Sequence, residues 1–303
     1  MPLSIFGFRA LWSPYFMLFV LLLIAGYFLL TVKYRHRFKG SEPLQPKQAV
    51  LFIIAMILLY ATKGSPVDLM AHIMFSFHMV QMAFLYLVIP PILISSIPNW
   101  VWERVIEVKA VNSLFRFFTK PLIALVLFNG LFSVYHLPPV MDAIKMNELA
   151  HIGYTVMLFI FAIFLWWPLI NKLEGQYQLH GLKKLGYIIG DGVLLTPACG
   201  LIIFAPHAMY ATYTDGAMWM KAMELCVPGN TLAGLSLTGP ELFTDMPAKE
   251  DQQLGGVLMK IIQEIVLGVM LAKIFFDWYK KEQAEGESIN DAAMLQHKPR
   301  TAE

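Results

Sequence analysis

Residues 65–91 form an almost unbroken apolar run that starts at Ser65-Pro66 and carries three unusual polar side chains. Ser65 as N-cap and Pro66 in the first turn predict a helix start, and Pro90-Pro91 predict its end. About 22 apolar residues suffice to cross a hydrocarbon core of about 30 Å. His72, His78 and Gln81 lie inside the run, and such groups in lipid usually face the bundle interior and mark function. The run therefore predicts a membrane helix that carries part of a site.

The composition extends this interpretation to the whole chain. With 57% hydrophobic residues, 15% charged residues and a mean hydropathy of +0.59, the chain is too apolar for an ordinary soluble domain. Seven spans are predicted, at about residues 14–32, 49–62, 65–91, 121–135, 151–167, 185–205 and 254–276. We therefore expect an all-α, polytopic membrane domain over residues 1–279 and a disordered polar tail over residues 280–303.

The positive charges of the connections predict the orientation. Sixteen lysines and arginines lie in segments 33–47, 104–120, 172–184 and 280–300, whereas five lie in the N-terminal tail and the other connections. Because cytoplasmic loops carry the excess of Lys and Arg, the N-terminus is expected outside and the C-terminus in the cytoplasm. Trp166 and Trp167, at the end of the fifth span, are expected to form an aromatic belt at the membrane interface.

This orientation groups most of the histidines on one side. His72 and His78 lie about 9 and 18 Å below the outer start of their helix, at 1.5 Å per residue. The outer ends of the fourth, fifth and sixth spans add His136, His151 and His207. Five of the eight histidines thus lie outside or in the outer half of the membrane. A single interfacial histidine usually makes a hydrogen bond, but a midplane histidine such as His78 points to function.

Helical spacing suggests which groups could act together. Asp68 and His72 are four residues apart, so the aspartate is expected to orient the imidazole, and His78 and Met82 share a second stripe. Imidazole with thioether suits copper, and thioether favours Cu(I), although methionines at helical spacing are more often core packing.

Other buried polar groups have less specific interpretations. Lys260 and Glu264 share one face of the last span, either as a neutralising pair or with Glu264 reaching His78. Asp191 in the sixth span has no assigned role, and Asn129 suits a hydrogen bond between helices. The sequence has no HExxH, GxSxG or phosphate-binding loop motif, and nothing in it indicates a nucleic-acid partner.

A series of short motifs in order along the chain resembles the CtaG family. They are Phe8-Arg9-Ala10-Leu11-Trp12-Ser13-Pro14, His78-Met79-Val80-Gln81, Pro90-Pro91, His136-Leu137-Pro138, His151, Trp166-Trp167-Pro168 and Asp251-Gln252-Gln253-Leu254-Gly255-Gly256. The resemblance implies a multi-pass plasma-membrane assembly factor, not an enzyme, for the caa-type cytochrome c oxidase of Gram-positive bacteria, with copper delivery as its task. Its partners would then be the lipid bilayer and oxidase subunits.

On this interpretation the copper ligands, for Cu(I), are five residues with three supporting groups. The ligands are His72, His78, His151, His136 and Met82, and the supporting groups are Asp68, Gln81 and Glu264. Many family members carry a second histidine where this chain has Met82. Two alternatives stay open: a b-type haem redox protein, which needs two axial ligands from different helices, and an ion or proton transporter using His78, Asp191, Lys260 and Glu264.

Overall fold

The computed structural model describes residues 1–235 and 237–296, and every regular element in these ranges is helical. The first half holds α1 (Gly7–Trp12), α2 (Pro14–Phe28), α3 (Pro46–Lys63), α4 (Pro66–Ile73), α5 (Phe75–Ala83), α6 (Ile89–Ser96), α7 (Asn99–Ile106) and α8 (Lys109–Phe118). The second half holds α9 (Pro121–Tyr135), α10 (Pro138–Lys145), α11 (Glu148–Ile170), α12 (Leu182–Ile203), α13 (Gly216–Met223), α14 (Gly229–Ala233) and α15 (Ala248–Gln296). The predicted all-α class is confirmed.

The described residues contain six helical segments that are long and apolar enough to cross a membrane. A seventh results if α8 and α9, which meet at a bend of 79°, form one span. The fourth predicted span coincides with α9, which begins at Pro121 and ends at Tyr135. A polytopic helical membrane protein is therefore confirmed, whereas the outward orientation of the N-terminus stays a prediction.

The segment from Phe75 to Ser96, formed by α5, the π-helical residues Phe84–Val88 and α6, is the central span. In its most apolar window 61% of the residues are buried, compared with 39% or less in the other spans. The main apolar core surrounds it and includes Tyr86, Phe128 and Trp166. Ser76, His78 and Gln81 of this span are buried and therefore face protein rather than lipid.

The predicted helix from Ser65 is broken at Met74. The Ser65 hydroxyl accepts a hydrogen bond from the Val67 amide, so the predicted N-cap is confirmed. At Met74 the backbone is extended, with φ −123° and ψ 134°, and α5 begins anew at Phe75. The Asp251 carboxylate accepts hydrogen bonds from the amides of Phe75 and Ser76, the first free donors of α5. A carboxylate from the last helix thus stabilises the break.

The prediction that this helix ends at Pro90-Pro91 is wrong. The helix passes through both prolines and ends at Ser96, with the prolines in the first turn of α6. Proline is tolerated there because first-turn amides lack an intrahelical acceptor. The π-helical turn Phe84–Val88 precedes them and changes the hydrogen-bond spacing before the prolines.

The predicted aromatic belt at Trp166 and Trp167 is also wrong. Both side chains are buried, and the Trp166 indole donates a hydrogen bond to the Tyr86 carbonyl at 3.0 Å. The helix continues through Pro168 to Ile170. The Trp166 indole therefore fastens α11 to the central span from the inside, whereas the Trp167 ring packs against Trp102 and Phe115.

The last helix begins at Ala248 and ends at Gln296, and residues 297–303 lie outside the described residues. Residues 280–296 are rich in Lys, Glu, Gln and Ala, which have high helix propensity. The domain boundary at residue 279 and the disorder of residues 280–303 stay predictions.

Candidate metal centre

The break at Met74 places two histidines on two different helices. His72 lies in the last turn of α4, and His78 lies in the first turn of α5. Both are buried, with exposures of 4% and 1%. Their side chains therefore approach one region from the two sides of the break.

Two further histidines complete two pairs. His151, in the first turn of α11, lies against His72, with ring centroids 5.8 Å apart. His136, directly after α9, lies against His78, with ring centroids 5.9 Å apart. His78 also interacts electrostatically with the three other imidazoles, so the pairs belong to one group. We call His72, His78, His136 and His151 the histidine cluster.

Backbone carbonyls orient two of these rings. His72 Nδ1 lies 2.9 Å from the Asp68 carbonyl oxygen, and His136 Nδ1 lies 2.8 Å from the Phe132 carbonyl oxygen. Because a carbonyl oxygen only accepts, Nδ1 must carry the proton in both rings. Nε2 then holds the lone pair that could bind a metal.

Each of the four rings has a buried nitrogen without a hydrogen-bond partner. These atoms are Nε2 of His72, His78 and His136, and Nδ1 of His151. A buried polar atom without a partner costs about 1–3 kcal/mol, so four together call for an explanation. A metal ion bound by these nitrogens would explain why they have no hydrogen-bond partner.

The spacing within each pair is compatible with a shared ion. Because a metal–nitrogen bond is about 2.0 Å long and each ring adds about 1 Å, two histidines on one ion have centroids about 5–6 Å apart. The observed 5.8 and 5.9 Å lie in this range. Among the described residues, however, no three His, Cys, Asp or Glu side chains already form a metal-binding group. The cluster therefore consists of two pairs rather than a closed four-ligand cage.

The supporting residues make other contacts than predicted. Asp68 orients His72 through its backbone carbonyl, whereas its carboxylate binds Lys63 at 2.6 Å and Gln81 at 2.7 Å. The Gln81 amide also donates to the Thr62 carbonyl and is not recorded in contact with His78. Asp68 and Gln81 therefore join α4 and α5 to the end of α3.

For two other predicted residues, Glu264 and Met82, the described part of the structure shows no contact with the cluster. Glu264 is 61% exposed and pairs with Lys260 at 2.8 Å, which matches the intrahelical pair rather than a contact with His78. Met82 is buried in the main apolar core one turn after His78. Its role as a ligand stays a prediction.

Asn129, Asp191 and Lys260, other polar residues of the spans, make hydrogen bonds of their own. The Asn129 amide donates to Asp191 at 2.8 Å, so α9 and α12 are linked as the sequence suggested for Asn129. Lys260 also donates to the Thr196 hydroxyl at 2.9 Å. These contacts do not involve the histidine cluster.

A buried lysine lies beside the cluster, and no sequence pattern indicated it. Lys145, at the end of α10, is 1% exposed and donates a hydrogen bond to the Tyr213 hydroxyl, which donates to the Ala71 carbonyl at 2.7 Å. Burial lowers the pKa of Lys145 to about 7. In the sequence Lys145 lies in a short polar connection, where a lysine normally faces water.

The motif of residues 251–256 positions the cluster without belonging to it. Asp251 caps α5, and Gln252 accepts a hydrogen bond from the Met209 amide at 2.7 Å. A Cβ atom on Gly255 would lie 2.8 Å from Phe75 Cδ1, and one on Gly256 would lie 2.7 Å from Ile203 Cγ1. The two glycines therefore let α15 approach both α5 and α12.

A cavity of about 400 Å³ lies beside the break at Met74. Its wall includes Ile73, Tyr213 and Asp251, together with the acidic side chains of Glu241 and Asp245. No histidine lines it, so it is not a haem pocket between axial histidines. Through this cavity, Tyr213 and the end of α4 lie close to the protein surface.

Comparison with known proteins identifies one family. The model of the cytochrome c oxidase caa3 assembly factor family matches residues 25–281. No curated protein and no solved structure matches the chain significantly. The matched range contains the central span, all four residues of the histidine cluster and the motif of residues 251–256. The chain therefore belongs to the cytochrome c oxidase caa3 assembly factor family.

Proposed function

We propose that this assembly factor binds copper, as Cu(I), at the histidine cluster and passes it to a subunit of a caa3-type cytochrome c oxidase. The observation that carries the proposal is the set of four buried ring nitrogens without hydrogen-bond partners. Neutral imidazoles suit copper, and oriented rings with protonated Nδ1 atoms present Nε2 as the ligand.

The position of the cluster supports delivery on the extracytoplasmic side of the plasma membrane. The cluster lies at the same end of the bundle as the connections that carry few lysines and arginines, which the charge rule assigns to the outside. The cavity beside the break offers an ion a path from that side, because acidic side chains in its wall attract cations. Copper is the cargo in this scheme, and the protein holds it transiently.

The test compares two single histidine variants of the whole protein. His78→Leu removes one ligand and one buried polar group, so we expect normal membrane abundance but at least a tenfold loss of Cu(I) bound to the purified, reduced protein. The oxidase in the same cells should be short of copper. His207→Leu is the matched control, because His207 is exposed and lies outside the cluster.

The two measurements distinguish a ligand from a structural histidine. If His78→Leu accumulates normally, binds Cu(I) like the wild type and supports a copper-replete oxidase, His78 is not a ligand and the proposal fails. If His207→Leu loses as much copper as His78→Leu, the loss does not come from the cluster.

A further inference from the structure

Lys145 is a buried cation that faces the histidine cluster without a carboxylate of its own. Among the described residues, no Asp or Glu lies within ion-pair distance of its ammonium group. Asp142, on the same helix, is engaged by the amides of Ala211 and Thr212 and by the Thr212 hydroxyl. Buried lysines are rare unless they are paired, so the burial of Lys145 without a carboxylate partner indicates a functional role.

The ammonium group is held next to the cluster by one tyrosine. Lys145 donates to the Tyr213 hydroxyl, and its Nζ lies 4.2 Å from the centroid of the Tyr213 ring, which adds a cation–π contact. The Tyr213 hydroxyl donates to the carbonyl of Ala71, the residue before His72. This carbonyl belongs to the last turn of α4, the negative end of the helix dipole, which favours a nearby cation.

The positive charge of Lys145 acts on every member of the histidine cluster. It interacts electrostatically with His72, His78, His136 and His151. Repulsion between two charges is proportional to each charge, so a divalent ion in the cluster meets twice the repulsion of a monovalent one. At an effective dielectric constant of about 20, a unit charge about 12 Å away changes the affinity about tenfold for each unit of ion charge.

We propose that Lys145 makes the histidine cluster selective for a monovalent ion, Cu(I), over divalent ions such as Zn(II). Four imidazoles alone would bind both classes, and the usual affinity order does not favour a monovalent ion. A fixed positive charge supplies the discrimination, because it repels the more highly charged ion more strongly. This inference rests on the proposed function and concerns the specificity of the same site.

The test measures two affinities in the whole purified protein. Lys145→Met keeps an unbranched side chain that is one atom shorter and removes the charge, and Lys221→Met, on an exposed lysine of α13, is the matched control. Dissociation constants for Ag(I), a redox-stable monovalent probe, and for Zn(II) are measured by competition at pH 6.5. At this pH, below the pKa of about 7, the ammonium form predominates.

We expect Lys145→Met to strengthen Zn(II) binding about tenfold more than Ag(I) binding, and Lys221→Met to change neither. Lys145→Arg, which keeps the charge, should keep the wild-type preference, and Lys145→Gln provides a second uncharged variant. Equal changes for both ions in Lys145→Met and Lys145→Gln would overturn the selectivity role but leave the metal site intact. Failure of wild type and variants to bind either ion would overturn the proposed function, and this inference with it.

Discussion

The histidine cluster and the Asn129–Asp191 pair are both polar groups buried in an apolar bundle, but they differ in how they are satisfied. The amide nitrogen of Asn129 donates to Asp191 and to the Leu125 carbonyl, so the pair connects two helices by ordinary hydrogen bonds, and only Asn129 Oδ1 is left without a partner. The cluster leaves one nitrogen of each of four neighbouring rings without a partner. A single buried polar atom without a partner therefore does not indicate function by itself, whereas four such nitrogens gathered in one place point to a ligand.

The comparison also separates two kinds of energetic contribution. A buried hydrogen-bonded pair stabilises the fold, and removing one member leaves the other buried without its partner, which costs free energy. An unsatisfied ring contributes a cost to the folded protein, so its replacement by an apolar side chain is expected to relieve that cost. Substitutions in the two regions should therefore change different quantities.

The largest loss of stability is expected for Asn129→Leu. This variant leaves the Asp191 carboxylate without its side-chain donor, so the free energy of unfolding should fall by about 2–4 kcal/mol. Denaturation in mixed micelles would measure the change, and copper bound per folded molecule should stay the same. The double variant with Asp191→Leu should recover part of the loss; lack of any recovery would contradict the assignment of the pair as mutually dependent.

A smaller loss is expected when α15 is pushed away from α5. In Gly255→Ala the new Cβ would meet Phe75 and Met79, so we expect a loss of about 1–3 kcal/mol and weaker copper binding, because α5 carries His78. Gly268→Ala is the matched control, since a Cβ atom there meets nothing within 4 Å. Equal unfolding free energies for the two variants would show that the close approach of the helices is not needed.

The smallest effect is expected for Glu264→Gln. The Lys260–Glu264 pair lies on one helix, with Glu264 61% exposed, and pairs of this kind contribute about 0.3–0.5 kcal/mol. The same unfolding assay should register at most this change, with copper binding unaltered. A loss of copper binding in this variant would instead support the contact between Glu264 and His78 that was one of the sequence-based alternatives.

Much of the bundle could be predicted because local sequence determines it. Pro121 begins α9, and the turn after Tyr135 ends it, as the proline and His136-Leu137-Pro138 pattern indicates. The Ser65 cap likewise depends only on its neighbours. Apolar runs with proline boundaries thus predicted the approximate positions of the six candidate spans of the described residues, and of a seventh if α8 and α9 form one span.

The features that escaped prediction depend on distant residues. No proline or glycine marks Met74, and the break there is stabilised by Asp251, which lies 176 residues from Phe75 in sequence. Lys145 is buried because Tyr213 offers it a hydroxyl, and the indole of Trp166 turns inward because the Tyr86 carbonyl lies within its reach. Such contacts arise only when the whole bundle has formed.

Because of the break at Met74, the rotation of α5 about its axis does not depend on that of α4. His72 on α4 and His78 on α5 are therefore oriented independently of each other. In a continuous α-helix, one inserted residue turns every later side chain by about 100°. Because Met74 is extended, a residue gained or lost within α4 can be taken up there without rotating α5, whose start Asp251 fixes. The chain between Phe75 and His78 has no such tolerance, since a single insertion there would turn the imidazole away from His136.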